Sequence, residues 1–207
     1  MAPKPKFTKQ EIIDAAFQIA DAEGLGSITI RKVAEKLGSS IAPIYVNFND
    51  VNELIQAVIA RIVAISRRML SEQTSGEPFR DIGLASLRFA KQHSVLFREI
   101  AISNNNYLSS YDEEIGGLLV EQMRTDAELA GFSDEELGMI LLKMRIFQMG
   151  LCIMLASDQL PSLNGQGNAG EPGNLDEQAI RLLDSTAEDI VLAARWRKQG
   201  DAPLSDL

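Results

Sequence analysis

One histidine and one cysteine stand in 207 residues, and neither has the neighbours that catalysis requires. His93 follows a run whose apolar side holds Phe89 and Ala90, with no cysteine or second histidine near it in sequence to complete a metal site. Its place near a helix C-terminus predicts a dipole partner or a packing residue. Cys152 falls inside an apolar run and is expected to be an inert packing residue. The carboxylates Asp112, Glu113 and Glu114 read as first-turn helix charges. The glycine-rich stretch from Leu163 to Gly173 has no preceding strand and no Gly-Lys-Ser/Thr ending, so it predicts a mobile loop rather than a phosphate cradle. These absences point away from an enzyme and imply neither a cofactor nor a metal. What remains is recognition, and its densest signal lies between Thr29 and Phe48.

That stretch has the form of a helix-turn-helix, whose second helix enters the major groove of DNA. Thr29 is a good N-cap, and Ile28 before it can staple onto Val33. Ile30, Val33, Ala34 and Leu37 recur at helical spacing and predict one buried face. Gly38 sits where a helix ends in the left-handed conformation. Ser40 is placed to cap a second helix, with Pro43 in its first turn, where a missing N–H costs nothing. On a helix from Ser40 to Phe48, the spacing puts Ile41, Ile44, Tyr45 and Phe48 on one side. Ala42, Pro43, Val46 and Asn47 point the other way.

The flanking residues supply the scaffold. Phe7, Thr8 and Glu11 form a hydrophobic staple and capping box ahead of Ile12, Ile13, Ala16, Phe17 and Ala20, in a helix that closes at Gly24. Asp50 to Glu53 is a second box, opening a long helix through Leu54, Ile55, Val58, Ile59 and Ile62 to about Ser71. From Thr8 to Ile59 the chain resembles the N-terminal domain of the tetracycline-repressor (TetR) family of bacterial regulators. The resemblance rests on Ile13 to Ala16, Ala22-Glu-Gly24, Thr29-Ile-Arg31, Val33-Ala34, Leu37-Gly38, Ile44-Tyr45, Phe48 and Leu54. It covers roughly a quarter of the chain and is highly specific.

The resemblance implies an all-α protein. A three-helix DNA-binding domain over 8–54 is expected before a helical effector-binding and dimerisation domain over 55–200, with 163–173 as a loop within it. It also implies that the Thr29–Leu37 helix crosses the DNA backbone and the Ser40–Phe48 helix reads the groove. The DNA-binding residues are then Thr29, Arg31, Lys32, Ser40, Ile41, Ala42, Pro43, Tyr45, Val46 and Asn47. Among them Arg31 is implied as a base or phosphate contact, Tyr45 as a phosphate contact through its hydroxyl, and Asn47 as a residue near the backbone. Two departures stand out: Val51 replaces a phosphate-gripping lysine common in the family, and Ser39 replaces an apolar residue. Ile41 and Ala42 occupy positions where polar base-reading side chains are common, yet their only fit to a base edge is the thymine methyl.

Charge complicates that expectation. The chain carries a formal net charge of −9, whereas DNA-binding domains are usually basic. Through Leu54, six cations (Lys4, Lys6, Lys9, Arg31, Lys32, Lys36) face seven anions (Glu11, Asp14, Asp21, Glu23, Glu35, Asp50, Glu53). Placement outweighs totals, since screening confines each charge to about 8–10 Å at physiological salt. Arg31 and Lys32 open the second helix, Lys4 and Lys6 sit on an expected mobile arm, and Arg61, Arg67 and Arg68 follow on the long helix. An alternative reading is a helical small-molecule-binding protein of the same fold with weak or lost DNA binding. A single cysteine suits a reducing cytoplasm, and residues 1–6 lack the apolar core of a signal peptide. Lys143 and Arg145 interrupt the most apolar run, so no membrane span is expected.

Beyond Ser71 the residues Ser75 to Pro78 break the helix. Further helices are expected over Phe79–His93, Ser94–Ile102, Ser110–Leu129, Asp134–Ser157 and from an Asn174 cap to about Gly200, with Asn104–Asn106 as a polar loop. The helix opened by Phe132, Ser133 and Glu136 carries two apolar rows. One is Ile140, Met144, Phe147, Leu151 and Met154; the other is Met139, Leu142, Ile146, Met149, Ile153 and Ala156. A helix apolar on most of its circumference must be covered on most sides, by its own domain and by a second subunit. In the last helix Ile180, Leu183, Ala187, Ile190 and Ala194 make a heptad-like seam. Since such regulators typically dimerise through their last two helices, the resemblance makes this seam the expected homodimer interface. A mainly apolar small-molecule effector is expected among the 79–93, 110–129 and methionine-rich helices. Its candidate contacts are Phe89, His93, Phe97, Gln122, Met144, Arg145, Phe147 and Gln148.

Overall fold

A computed structural model describes residues 7–102, 109–156 and 175–200. Among these the regular structure is entirely helical. The helices are α1 (Lys9–Glu23), α2 (Ile30–Lys36), α3 (Ala42–Tyr45), α4 (Val51–Ser71), α5 (Pro78–Gln92), α6 (Ser94–Ile102), α7 (Ser109–Arg124), α8 (Asp134–Ala156) and α9 (Leu175–Lys198). Lys4, Lys6, Asn104–Asn106, the 163–173 stretch and Asn174 lie outside the described residues. The chain divides into two compact units, one of Met1–Met69 with Phe89–Gly116 and one of Leu70–Arg88 with Gly117–Leu207.

In the first unit α1 starts as expected. The Thr8 hydroxyl accepts from Glu11 N, and the Glu11 carboxylate accepts from Thr8 N at 2.7 Å. Those bonds hold the Glu11 carboxyl below its ordinary range, the backbone donor contributing most. Ile12, Ala16, Phe17 and Ala20 are buried together with Leu25, Val33, Leu54, Val58 and Ile62. Two contacts tie α6 and the end of α5 to this core. Glu99 accepts from Leu25 N at 2.7 Å, and His93 Nδ1 lies 2.8 Å from an Asp21 carboxylate oxygen. The imidazole also meets Phe17 edge-on and Phe89 at a tilt. His93 is thus a packing residue of this unit. Sequence reasoning missed Glu99, because its partner is a backbone N–H 74 residues away.

In the second unit α8 opens with the expected capping box, Ser133 and Glu136 exchanging bonds at 2.7 and 3.3 Å. The α7 helix stops at Arg124 rather than running to Leu129. Asp126 turns extended there and accepts from Glu128 N and Phe79 N, so it caps a short 3-10 turn and the start of α5 at once. At Gly83 a Cβ would lie 2.7 Å from Leu183 Cδ2, so the glycine lets α9 approach α5 closely. Arg80 reaches Asp184 through two bonds of 2.8 and 3.0 Å, which hold its guanidinium pKa above the ordinary value. Lys198 reaches Glu136 at 2.7 Å, and Arg195 pairs with Glu128.

The two rows of α8 separate over part of their length. Ile140, Met144 and Leu151 are buried, whereas Met139, Leu142, Ile146 and Ile153 are exposed. Met154, at the end of the first row, is exposed as well. By length and composition alone α8 could cross a membrane, but its buried row is spent on the core of its own unit. Burial pushes the Cys152 thiol up to about 11, in keeping with an unreactive packing residue.

One residue of the expected seam on α9 is already covered within the chain. Leu183 is 2% exposed and belongs to the core of its own unit, packed where Gly83 leaves room. Ile180, Ala187, Ile190 and Ala194 are half-buried, and among the described residues of α9 the large apolar side chains left exposed are Leu192 and Trp196. Heptad spacing finds a face but does not say what covers it.

Candidate nucleic-acid interface

α2 and α3 form the helix-turn-helix. Thr29 caps α2, its hydroxyl accepting from Lys32 N at 3.2 Å. After Leu37 the chain reverses through Gly38 at φ 60°, a left-handed conformation that a Cβ would strain. Ser39 N then bonds back to Ala34 O at 2.9 Å, closing the turn.

The second helix is shorter than its pattern predicts. It runs only from Ala42 to Tyr45, with Pro43 in its first turn and Ile41, not Ser40, at the N-cap position. Ser40 makes no side-chain cap there. Beyond Tyr45 both Asn47 N and Phe48 N bond to Ile44 O at 2.9 Å, so the last turn tightens. The Asn47 amide donates to Pro43 O at 3.0 Å and caps that turn from its own side chain.

The faces differ too. Ile44 and Phe48 are buried, but Ile41 and Tyr45 are about half exposed, at 49% and 53%. At 100° per residue, positions 44 and 48 lie about 40° apart. Position 45 is about 100° away from 44 and falls outside so narrow a buried strip. Two anchors suffice to seat one turn of helix, and the remaining side chains are left outward. Ala42 and Val46 are exposed, Val46 at 74%.

Every cation of this surface with a defined partner is paired with a carboxylate. Arg31 reaches Glu35 at 3.1 Å, Lys32 reaches Glu23 at 2.6 Å, and Lys9 reaches Glu53 at 3.5 Å while covering the Phe48 ring. The first two pairs are exposed and weak, so a phosphate can displace the carboxylate. Farther along α4, Arg61 pairs with Asp14 and stacks on Phe17, and Arg67 pairs with Glu114 at 2.7 Å, so both serve the unit itself.

The second box is extended by one residue. Asp50 accepts from Glu53 N at 2.9 Å, but the Glu53 carboxylate accepts from Asn49 N at 2.8 Å rather than from Asp50. This ties the start of α4 to the residue just after Phe48. The Asn49 backbone donor, with the Lys9 charge as a smaller cause, holds the Glu53 carboxyl below its ordinary 4.5. A depressed folded pKa stabilises the fold above the unfolded value and is lost as pH falls through the folded one. Glu53→Gln is therefore expected to lower the thermal midpoint at pH 7, and the gap should close below about pH 4. A gap of the same size at pH 7 and pH 3 would remove the carboxylate from this role.

The eight residues expected around an effector divide between the units. Phe89, His93 and Phe97 lie in the first, with Phe89 buried and His93 engaged as described. Gln122, Met144, Arg145, Phe147 and Gln148 lie in the second. There Met144 and Gln148 are buried, Gln122 and Phe147 are half-buried, and Arg145 is exposed. The Gln148 amide donates to Gly83 O at 3.4 Å. Among the described residues no group of three or more histidines, cysteines and carboxylates could hold a metal ion.

No family model matches the chain. The HTH-type transcriptional regulator YvkB of Bacillus subtilis (strain 168), itself uncharacterized, is 29% identical over 130 residues, 58% of this chain and 68% of YvkB. The HTH-type transcriptional repressor DrrR1 of Streptomyces coeruleorubidus is 38% identical over 60 residues, which are 29% of this chain but only 22% of that protein. Among solved structures, a TetR variant from Acinetobacter baumannii AYE in complex with minocycline has a TM-score of 0.56 at 18% identity, covering 95% of this chain and 100% of its own. The Streptomyces coelicolor TetR family protein ActR, in complex with (S)-DNPA, has a TM-score of 0.53 at 19% identity and covers 94% and 98%. These relatives and neighbours are regulators rather than enzymes. In sequence the chain is similar to helix-turn-helix transcriptional regulators, and its fold is of the TetR type.

Proposed function

We infer that the protein is a cytoplasmic, homodimeric repressor that binds a two-fold symmetric DNA site and leaves it when a small, mainly apolar molecule binds. The observation that carries this reading is the exposure of Ile41, Ala42, Tyr45 and Val46 on a short α3 anchored by the buried Ile44 and Phe48, in a helix-turn-helix whose first helix opens with Arg31 and Lys32. Dimerisation draws support from the exposed row Met139, Leu142 and Ile146 on α8, with Leu192 and Trp196 on α9. Ligand control draws support from the minocycline and (S)-DNPA complexes of the two structural neighbours. Any ligand that weakens DNA binding must itself be bound more weakly in the presence of DNA by the same factor, typically about 5–150-fold.

Mobility shift with the protein's own upstream DNA tests this reading. Half-sites are expected about 34–36 Å apart, or a multiple of that. Arg31→Ala should weaken binding more than Tyr45→Phe, which removes one hydrogen bond to phosphate worth about 1.5–3 kcal/mol. The slope of log K against log salt should be shallow, since about 0.9 counterions are released per neutralised phosphate and few cations face the groove. The opposite reading, a ligand-binding protein of this fold with weak DNA binding, is favoured by the carboxylate partners of Arg31 and Lys32. With DNA binding weak or lost, it predicts a retarded band only at high protein concentration or none at all.

A further inference from the structure

We propose that the protein recognises its DNA through thymine methyl groups, with Val46 and Ile41 as the residues that read them. The inference rests on the DNA-binding reading above and adds the base chemistry. With Ile44 and Phe48 buried, Ile41, Ala42 and Val46 are left exposed. An isolated exposed valine means little, but here Ile41 and Val46 are 49% and 74% exposed and flank a single helical turn with an exposed alanine inside it. The Asn47 amide already spends one N–H on Pro43 O. Arg31 and Lys32 belong to α2, at the position of a helix that crosses the backbone.

The major-groove edge of a base pair offers hydrogen-bond donors, acceptors and one apolar feature, the C5-methyl of thymine. An aliphatic side chain at the groove floor desolvates any donor or acceptor it covers and gives nothing back. Against a thymine methyl it buries apolar surface on both partners. The partner that fits this helix is therefore duplex DNA with thymines at the bases under Ile41 and Val46 in each half-site.

The experiment uses the full chain and a site obtained by selection from random duplexes, with each thymine of the half-site replaced in turn by deoxyuridine. That exchange removes a methyl group and leaves the base pair's hydrogen bonds intact. At one or two positions per half-site, uracil is expected to weaken binding about fourfold per methyl, and about fifteenfold when both half-sites are changed. The loss should persist at higher salt, because the contact is apolar while the phosphate contribution falls. Val46→Ala, at a position too exposed to matter for folding, should bind the thymine and uracil sites at its position equally well. Tight binding with no thymine position sensitive to uracil would overturn this inference and leave the DNA-binding reading standing. Failure to select any duplex would overturn both.

Discussion

Phe48→Ala is expected to abolish DNA binding and to cost the first unit about 3–5 kcal/mol, the usual loss for a buried aromatic truncated to alanine. Phe48 is 1% exposed, and with Ile44 it seats a helix of four residues. So short a helix has no stability of its own, because nucleation of an isolated turn is unfavourable. It exists because two side chains are buried, Pro43 presets its first turn, and Asn47 closes its end. Removing one anchor leaves a cavity beside Lys9, which covers the ring at 4.8 Å, and frees the rotation that aims Val46 outward. Circular dichroism should show a lower melting temperature with most helix retained, while binding is lost. A variant that binds DNA normally would show that the outward face does not depend on this anchor.

Ile146→Glu is expected to turn the dimer into a folded monomer. Ile146 is 59% exposed in the single chain, so a charge there meets only water until a partner covers it. Once covered, an unpaired carboxylate is strongly unfavourable. Loss of the dimer separates the two reading helices and removes the effective concentration one lends the other, a factor of about 10²–10⁴ in DNA affinity. Leu183→Glu makes the control. Leu183 is buried against Gly83, so its substitution should unfold the second unit rather than yield a soluble monomer. Light scattering at micromolar concentration separates these outcomes, and a normal Ile146→Glu dimer would place the interface elsewhere.

The contrast between Ile146 and Leu183 marks where the sequence is legible. Most caps and turns are local and come out as written, although Ser40 does not cap α3 and Glu53 accepts from Asn49 rather than Asp50. Thr8 with Glu11, Thr29, Gly38 and Ser133 with Glu136 each do what their spacing announces, because their partners lie within four residues. Periodicity locates an apolar face but not its cover. It grouped Ile41 and Tyr45 with Ile44 and Phe48, and it put Leu183 in a seam, because rows three and four apart look alike whether the other surface is the same chain or another. Contacts over long separations were beyond reach. His93 with Asp21, Glu99 with Leu25 and Asp126 with Phe79 each depend on how distant helices meet. The helix-turn-helix was legible because it is a local object, whereas the eight residues expected around an effector lie far apart in sequence and belong to two units.

Selection of random duplex DNA by the full-length protein tests the central claim most directly. The account predicts enrichment of a two-fold symmetric sequence, with half-sites about one helical turn or a multiple of it apart and thymine at fixed positions in each. The same selection with Phe48→Ala should return unenriched sequence. Enrichment of no symmetric sequence by a protein shown to be a folded dimer would contradict the account.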